Sequence, residues 1–151
     1  MSNEIIDCYI LPAEPLPLLL PTECIADVVD NPTIEPLENV SAVWMNGHAT
    51  WNNQRLSVIS YNALLDPAID ESNKSKAHLV VLNPIPGAIR KAYTGIVCYG
   101  DVMKVKVQQD VEMAEVPEGI DKRYVEAALR ALDQNVLLPR LTALAVAFSY
   151  F

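Results

Sequence analysis

The sequence predicts a mainly β protein built from two equivalent lobes, and three observations predict it. Prolines are frequent, eleven in 151 residues, and they cut the apolar runs into short lengths that suit strands rather than helices. Met103, Val105 and Val107 alternate with Lys104 and Lys106, the period-two pattern of a strand with one wet face. A weak internal repeat lays "LSVISYNAL" over "VLLPRLTAL" at an offset of 80 residues, so that Leu56 matches Val136, Tyr61 matches Leu141 and Leu64 matches Leu144.

Each element follows from local chemistry. Ile5 to Ile10 reads as a first strand, and Leu16 to Leu20, closed by Pro21, as a second reached across "PAEPLP". Thr22 to Val29 continues extended. "DNPTIEPLENV" is a turn-rich connection, because Pro32 and Pro36 disfavour helix at the residues before them. Ala49 to Trp51, the polar turn "NNQ" and Leu56 to Ile59 make a hairpin in which Asn53 tolerates positive φ. Ser60 can cap a short helix, Tyr61 to Leu65. "DPAIDESNKSKA" reads as a solvated loop, and "HLVVLN", "AYTGIVCY" and "GDVMKVKVQQ" read as three further strands.

The segment from Tyr124 onward has two readings. Tyr124, Ala128, Leu129 and Leu132 share a helical face, and Ala and Leu favour helix. The repeat instead makes Tyr124 to Leu132 a strand, "DQN" a turn, and the stretch from about Pro139 a helix. "AVAFSYF" then reads as a helix packed on its own lobe.

Composition excludes several functions. Nineteen acidic residues against eleven basic give a formal charge of −8, which opposes a phosphate backbone, so nucleic acid is not an expected partner. Cys8, Cys24 and Cys98 are odd in number and lack CxxC spacing, as expected of reduced thiols in a cytoplasmic protein. "MSNEIIDCYI" has no basic region ahead of its apolar residues and does not read as a signal peptide. The run Leu141 to Phe151 is about half of the ~20 residues a membrane span needs, so no direct membrane insertion is expected.

A search for reactive constellations finds no GxSxG, phosphate-binding glycine loop, HExxH or EF-hand pattern. His48 and His78 have no Cys or His at ligand spacing, so neither metal nor cofactor is expected. The thiols lie in apolar surroundings that mask nucleophilicity. Asp27, Asp30, Glu35 and Glu38 read as a solvated acidic face. Trp44 and Trp51 either fill the lobe cores or anchor a partner, and Trp51, beside a polar turn, is the better anchor. A small hydrolase using Ser57 or Ser60 with His48, a small-molecule sensor and a self-assembling subunit stand as alternative classes.

"LLLPTECIADVVDNPTIEPLENV", "WMNGHATWNNQRLSVISYNALL", "TGIVCYGDVMKVKV" and "YVEAALRALDQNVLLPRL" together resemble the CheW-like family of chemotaxis coupling proteins, from about Ile5 to Leu144. Pro21, Ile25 with Asp27, then Ile34 and Pro36 take the places of that family's strand-Pro, Val-x-Glu and I-x-P elements. Gly47 and Leu64 fit its second block, and Gly95, Val97, Val102 and Val105 its third. Its last block is an extended segment, a hairpin turn and a strand, which selects the strand reading for Tyr124 to Leu132.

The resemblance implies a single domain, residues 1–151, of two intertwined five-stranded SH3-like β-barrel lobes with a few short helices, one of them C-terminal. It also implies a non-catalytic bacterial signal-transduction adaptor between the cytoplasmic tip of methyl-accepting chemoreceptors and the regulatory domain of a chemotaxis-type histidine kinase. On that reading Ile25, Asp27, Gly47, Trp51 and Asn52 in the first lobe, with Gly95 in the second, form or support the partner-binding faces. The family's Arg-Gly falls on Asn52-Asn53, its Val-Asp on Cys98-Tyr99, and Val107 to Arg123 is longer than expected. These departures resemble an auxiliary member of the kind found in type IV pili and twitching systems.

Overall fold

The computed structural model describes residues 4–38, 42–72, 74–88 and 91–151. Among the described residues eleven strands form two sheets. One has the order β3 (Ile25–Asp30), β6 (Ala77–Leu82), β7 (Thr94–Tyr99), β5 (Gln54–Ser60), β4 (Met45–Trp51). The other runs β8 (Met103–Gln108), β1 (Ile5–Leu11), β2 (Leu18–Pro21), β11 (Gln134–Pro139), β10 (Val125–Ala131), β9 (Glu112–Ala114). Two helices, α1 (Tyr61–Leu65) and α2 (Leu141–Phe148), and two 3₁₀ turns, Thr22–Cys24 and Lys122–Tyr124, complete it.

The repeat seen in the sequence is a structural one. The series β3-β6-β7-β5-β4 and β8-β1-β2-β11-β10 have the same pairing, antiparallel except for one parallel pair, β5 with β7 and β11 with β2. The ladder β4/β5 shifts register between Met45 and Gly47, and β10/β11 does so between Val125 and Ala127, 80 positions later. The amide of Ser60 donates to Trp44 O at 3.0 Å, and that of Arg140 to Tyr124 O at 2.9 Å, again 80 apart. Each hairpin turns through two residues at positive φ, Asn52 and Asn53 in one, Leu132 and Asp133 in the other. The second turn therefore lies one residue before the expected "DQN".

One sheet has the five strands expected; the other has a sixth, β9. It occupies the long connection between Val107 and Arg123 and pairs with the outer side of β10. The lobes also do not follow the halves of the sequence, since β6 and β7 complete the sheet begun by β3, β4 and β5.

The apolar residues explain why the two sheets form one body. In β2, Leu18 and Leu20 face a core common to both sheets while Leu19 faces the interior of its own lobe. In β6, Val80 and Leu82 face the common core and Leu79 and Val81 the interior of the other lobe; in β7, Ile96 and Cys98 oppose Val97 in the same way. Successive side chains point to opposite faces of a strand, so a strand buried on both sides reads as an unbroken apolar run. That is what "LLL", "LVVL" and "IVC" are. The common core also takes Tyr61, Leu64 and Leu65 of α1 and Leu144, Ala147 and Phe148 of α2.

Both helices reach across. Ser60 caps α1 by accepting the Ala63 amide at 3.2 Å, and Tyr61 donates its hydroxyl to Tyr124 O at 2.6 Å, joining α1 to the turn before β10. The α2 helix follows β11 but packs on β5 of the other sheet, so it is not confined to its own lobe as expected. "DPAIDESNKSKA" is likewise not simply solvated. Glu71 accepts from Ser60 Oγ and, at 3.3 Å, from Asn62 Nδ2, pinning that loop to the start of α1.

Gly47 closes the five-stranded lobe. Glu35, beyond β3, exchanges backbone hydrogen bonds of 2.8 and 2.9 Å with His48 of β4, at the opposite edge of the sheet. At Gly47, with φ +153°, a Cβ would lie 2.1 Å from the Glu35 carbonyl oxygen. Gly47→Ala should therefore cost roughly 3 kcal/mol, as backbone strain plus loss of that bridge, measured by urea unfolding. Leu132, 54% exposed at φ +53°, gains nothing from burial to offset its left-handed conformation. Leu132→Asn should raise stability by about 1 kcal/mol, or a Tm gain of roughly 2–4 °C, in a thermal melt.

Candidate partner-binding site

The edges of the five-stranded sheet bring two of the expected site residues into direct contact. Asp27 stands on β3 and Trp51 ends β4, and the Trp51 Nε1–H donates to Asp27 Oδ2 at 2.9 Å. The other carboxylate oxygen, Oδ1, accepts the amide of Val28 at 2.8 Å, so the carboxylate is fixed at both ends. The Trp51 ring, half-buried, packs at 52° on Tyr93 with centroids 5.0 Å apart. Asn52 is exposed in the adjoining turn. Asp27, Trp51, Asn52 and Tyr93 thus make one surface of an acid, two aromatic rings and an amide, and Tyr93 is a member that no sequence pattern singled out.

The remaining expected residues lie elsewhere. Gly95 is buried in β7, between Val58 of β5 and Val81 of β6, where a Cβ would meet Leu79 Cδ1 at 2.6 Å. It belongs to the same sheet as the other five residues, not to the second lobe, because the parallel β5/β7 pairing draws it there. Gly47 is buried under Glu35. Ile25, half-buried, sits at the start of β3 and lines a groove between the lobes.

That groove, of about 470 Å³, is walled on one side by Asp7, Cys8 and Tyr9 of β1 with Lys104, Val105 and Lys106 of β8, and on the other by Thr22 and Ile25. Burial raises the Cys8 thiol pKa, with the Asp7 charge acting in the same sense, and burial pushes Cys98 up to about 12, so both stay protonated at neutral pH.

Trp44 belongs to a second aromatic group. Its ring meets Tyr150 and Phe151 edge-on at 6.3 and 6.1 Å, and Phe151 also lies 5.6 Å from the His48 ring. Ser57 donates its hydroxyl to Phe151 O at 2.6 Å, Ser60 donates to Glu71, and the His48 Nδ1 is 3.3 Å from an Arg55 guanidinium nitrogen. A Ser–His hydrolase needs the serine proton pointed at the imidazole, and here Ser57 points at a backbone carbonyl and Ser60 at the Glu71 carboxylate, so neither pairs with His48. Among the described residues no group of three or more His, Cys, Asp or Glu is placed to hold a metal ion, and no helix is long and apolar enough to cross a membrane.

The two-lobed architecture matches the crystal structure of the scaffolding protein TtCheW from Thermoanaerobacter tengcongensis, with a TM-score of 0.72 over 91% of this chain and 90% of that one. The fold is CheW-like. Identity over the match is only 14%, and no family model and no curated protein matches the sequence. A CheW-like fold with Asn52-Asn53 at the turn keeps the backbone geometry that positive φ demands while presenting amides to solvent. The same fold with Asp27 bonded to an indole holds its carboxylate through a neutral donor.

Two outcomes follow. A double-mutant cycle of Trp51→Phe and Asp27→Ala by chemical unfolding should give a coupling energy of about 1 kcal/mol, the part of the Trp51→Phe loss that comes from the hydrogen bond. His48 is held below the ordinary imidazole pKa, first by burial, then by Arg55 and against the pull of Glu35. Its neutral form is therefore favoured by folding, and that stability is present above the ordinary histidine range and lost as pH falls through it. Unfolding titrations between about pH 7 and pH 5 should show this decline, and His48→Gln should flatten it.

Proposed function

We propose that the protein is a non-catalytic cytoplasmic adaptor that couples chemoreceptors to a chemotaxis-type histidine kinase, in a system of the kind that governs type IV pili and twitching. The observation that carries this reading is the match of both lobes, in one alignment, to a scaffolding protein. The groove between the lobes supports it, because its length of β1 and β8 offers an open trough in which an amphipathic receptor helix can lay its apolar stripe. The surface of Asp27, Trp51, Asn52 and Tyr93 supports it as well, since a half-buried Trp held rigid by a hydrogen bond is an anchor with little entropy left to lose on binding. On this reading Ile25 contributes from the groove, and Gly47 and Gly95 act by shaping the sheet beneath.

The product of such a protein is specificity rather than turnover. Asn52 offers neutral hydrogen bonds where the related couplers carry Arg, so Asn52→Arg should leave affinity for the native partner unchanged or lower, in a calorimetric titration. The function itself is tested by pull-down from native lysate with wild type and Trp51→Ala as baits, followed by mass spectrometry. A chemoreceptor or chemotaxis-type kinase should be recovered by wild type, and its recovery should fall several-fold with a Trp51→Ala protein that still melts cooperatively. Recovery of neither by a folded wild-type bait would sink the adaptor reading.

A further inference from the structure

The charge of the groove between the lobes runs against that of the molecule. The chain carries −8 overall, yet the groove is lined by two lysines, Lys104 and Lys106, and one carboxylate, Asp7. Both lysines stand on β8, an edge strand, and alternate with Val105 and Val107, which pack toward the interior of the lobe. The alternation therefore aims the two cations at the groove side by necessity.

Neither lysine is committed there. Lys106 and Asp7 are 3.8 Å apart, at the limit of an ion pair, with side chains 76% and 66% exposed, so solvent screens most of their attraction. Lys104 lies with its ammonium 5.7 Å from the centroid of Tyr9, over the ring face, and Tyr9 and Ile25 are both half-buried on the groove floor. Lysines at a sheet edge also protect it from strand addition, but that service needs no apolar floor beside them. Here the cations border a floor of Tyr9 and Ile25.

We propose that this groove selects an acidic amphipathic helix of a partner protein: its apolar residues rest on Tyr9 and Ile25, and carboxylates along one flank pair with Lys104 and Lys106. The inference rests on the adaptor reading and adds to it the charge of the occupant. An acidic segment is repelled by the net charge of −8, so the two lysines favour landing in the groove as well as holding there.

The test uses the full chain, isotope-labelled, and two helical peptides of equal length with leucines at i, i+3, i+4 and i+7, one flanked by glutamates and the other by lysines. The glutamate peptide should shift the amide resonances of Tyr9, Ile25, Lys104 and Lys106, and raising salt from about 50 to about 500 mM should weaken it. Lys104→Glu/Lys106→Glu should weaken it roughly ten-fold or more, with the milder Lys104→Gln/Lys106→Gln in between and serving as the check that loss is not misfolding. Equal shifts with the lysine peptide, unchanged affinity in the charge-reversed protein, or the same shifts from inorganic phosphate alone would each overturn the proposal. The double variant is also used as bait in native lysate. If it still recovers receptor and kinase with unaltered salt dependence, the acidic-helix inference fails and the adaptor reading stands; if wild type recovers neither, the adaptor reading itself fails.

Discussion

The structure depends on one constraint: β2, β6 and β7 are apolar on both faces. A strand of this kind cannot sit in a sheet that has one side in water, and two such sheets solve the problem by turning their second faces to each other. The interior of each lobe is small: among the described residues, seven are buried around Val136 in one and six around Val58 in the other. Eighteen of the described residues are buried in the core between them, which is why the helices that follow β5 and β11 are used to fill it rather than to cover either lobe from outside. Separating the lobes would expose more apolar surface than either keeps inside.

The same constraint positions the candidate site. With the interior face of the five-stranded sheet committed to Leu56, Val58, Leu79 and Val97, the sheet curls until β3 and β4, its two edges, come within reach. The Glu35–His48 bridge and the Trp51–Asp27 hydrogen bond are then two fastenings along one seam. An edge that has been fastened does not recruit strands from other chains, so recognition at this end passes to side chains, an aromatic pair and an acid. The groove between the lobes is the complementary case, where β8 remains an open edge and lysines stand along it.

Much of the fold was legible because local and long-range signals agreed. The span of α1 is read directly from Ser60 as a cap and an apolar run after it, and the positive-φ turn from Asn52-Asn53. The β10 strand was not legible from propensity, because "VEAALRA" buries Val125, Ala128, Leu129 and Ala131 in a pattern that also fits a helix; the repeat offered the strand and the family resemblance selected it. The β9 strand, three residues with one exposed Met, carries no periodicity at all. Of the site, Asp27 and Trp51 were each singled out, but their bond spans 24 residues and joins opposite edges of a sheet, a relation no pattern encodes. Gly95 went to the wrong lobe for the same reason, since a parallel pairing is set by packing rather than by a turn. Glu71 escaped notice because a carboxylate in "DESNKSK" resembles every other solvated one; Ile69, the only large apolar residue in that loop, was the available hint.

The order of strands along the chain has a kinetic consequence. Every strand of the five-stranded sheet lies between Ile25 and Tyr99, so it can be completed from one continuous stretch, whereas the six-stranded sheet pairs Ile5 with Gln108 and joins β2 to β11. On a ribosome the inner lobe has all its strands long before the outer one does. The outer lobe must close a loop around a partner already folded, an entropic cost that slows pairing of sequence-distant strands. Until it closes, the apolar face of β6 and β7 that will become the common core is bare to solvent. Nascent chains of this architecture therefore pass through a half-built state whose stickiest surface is the one the finished protein hides most completely.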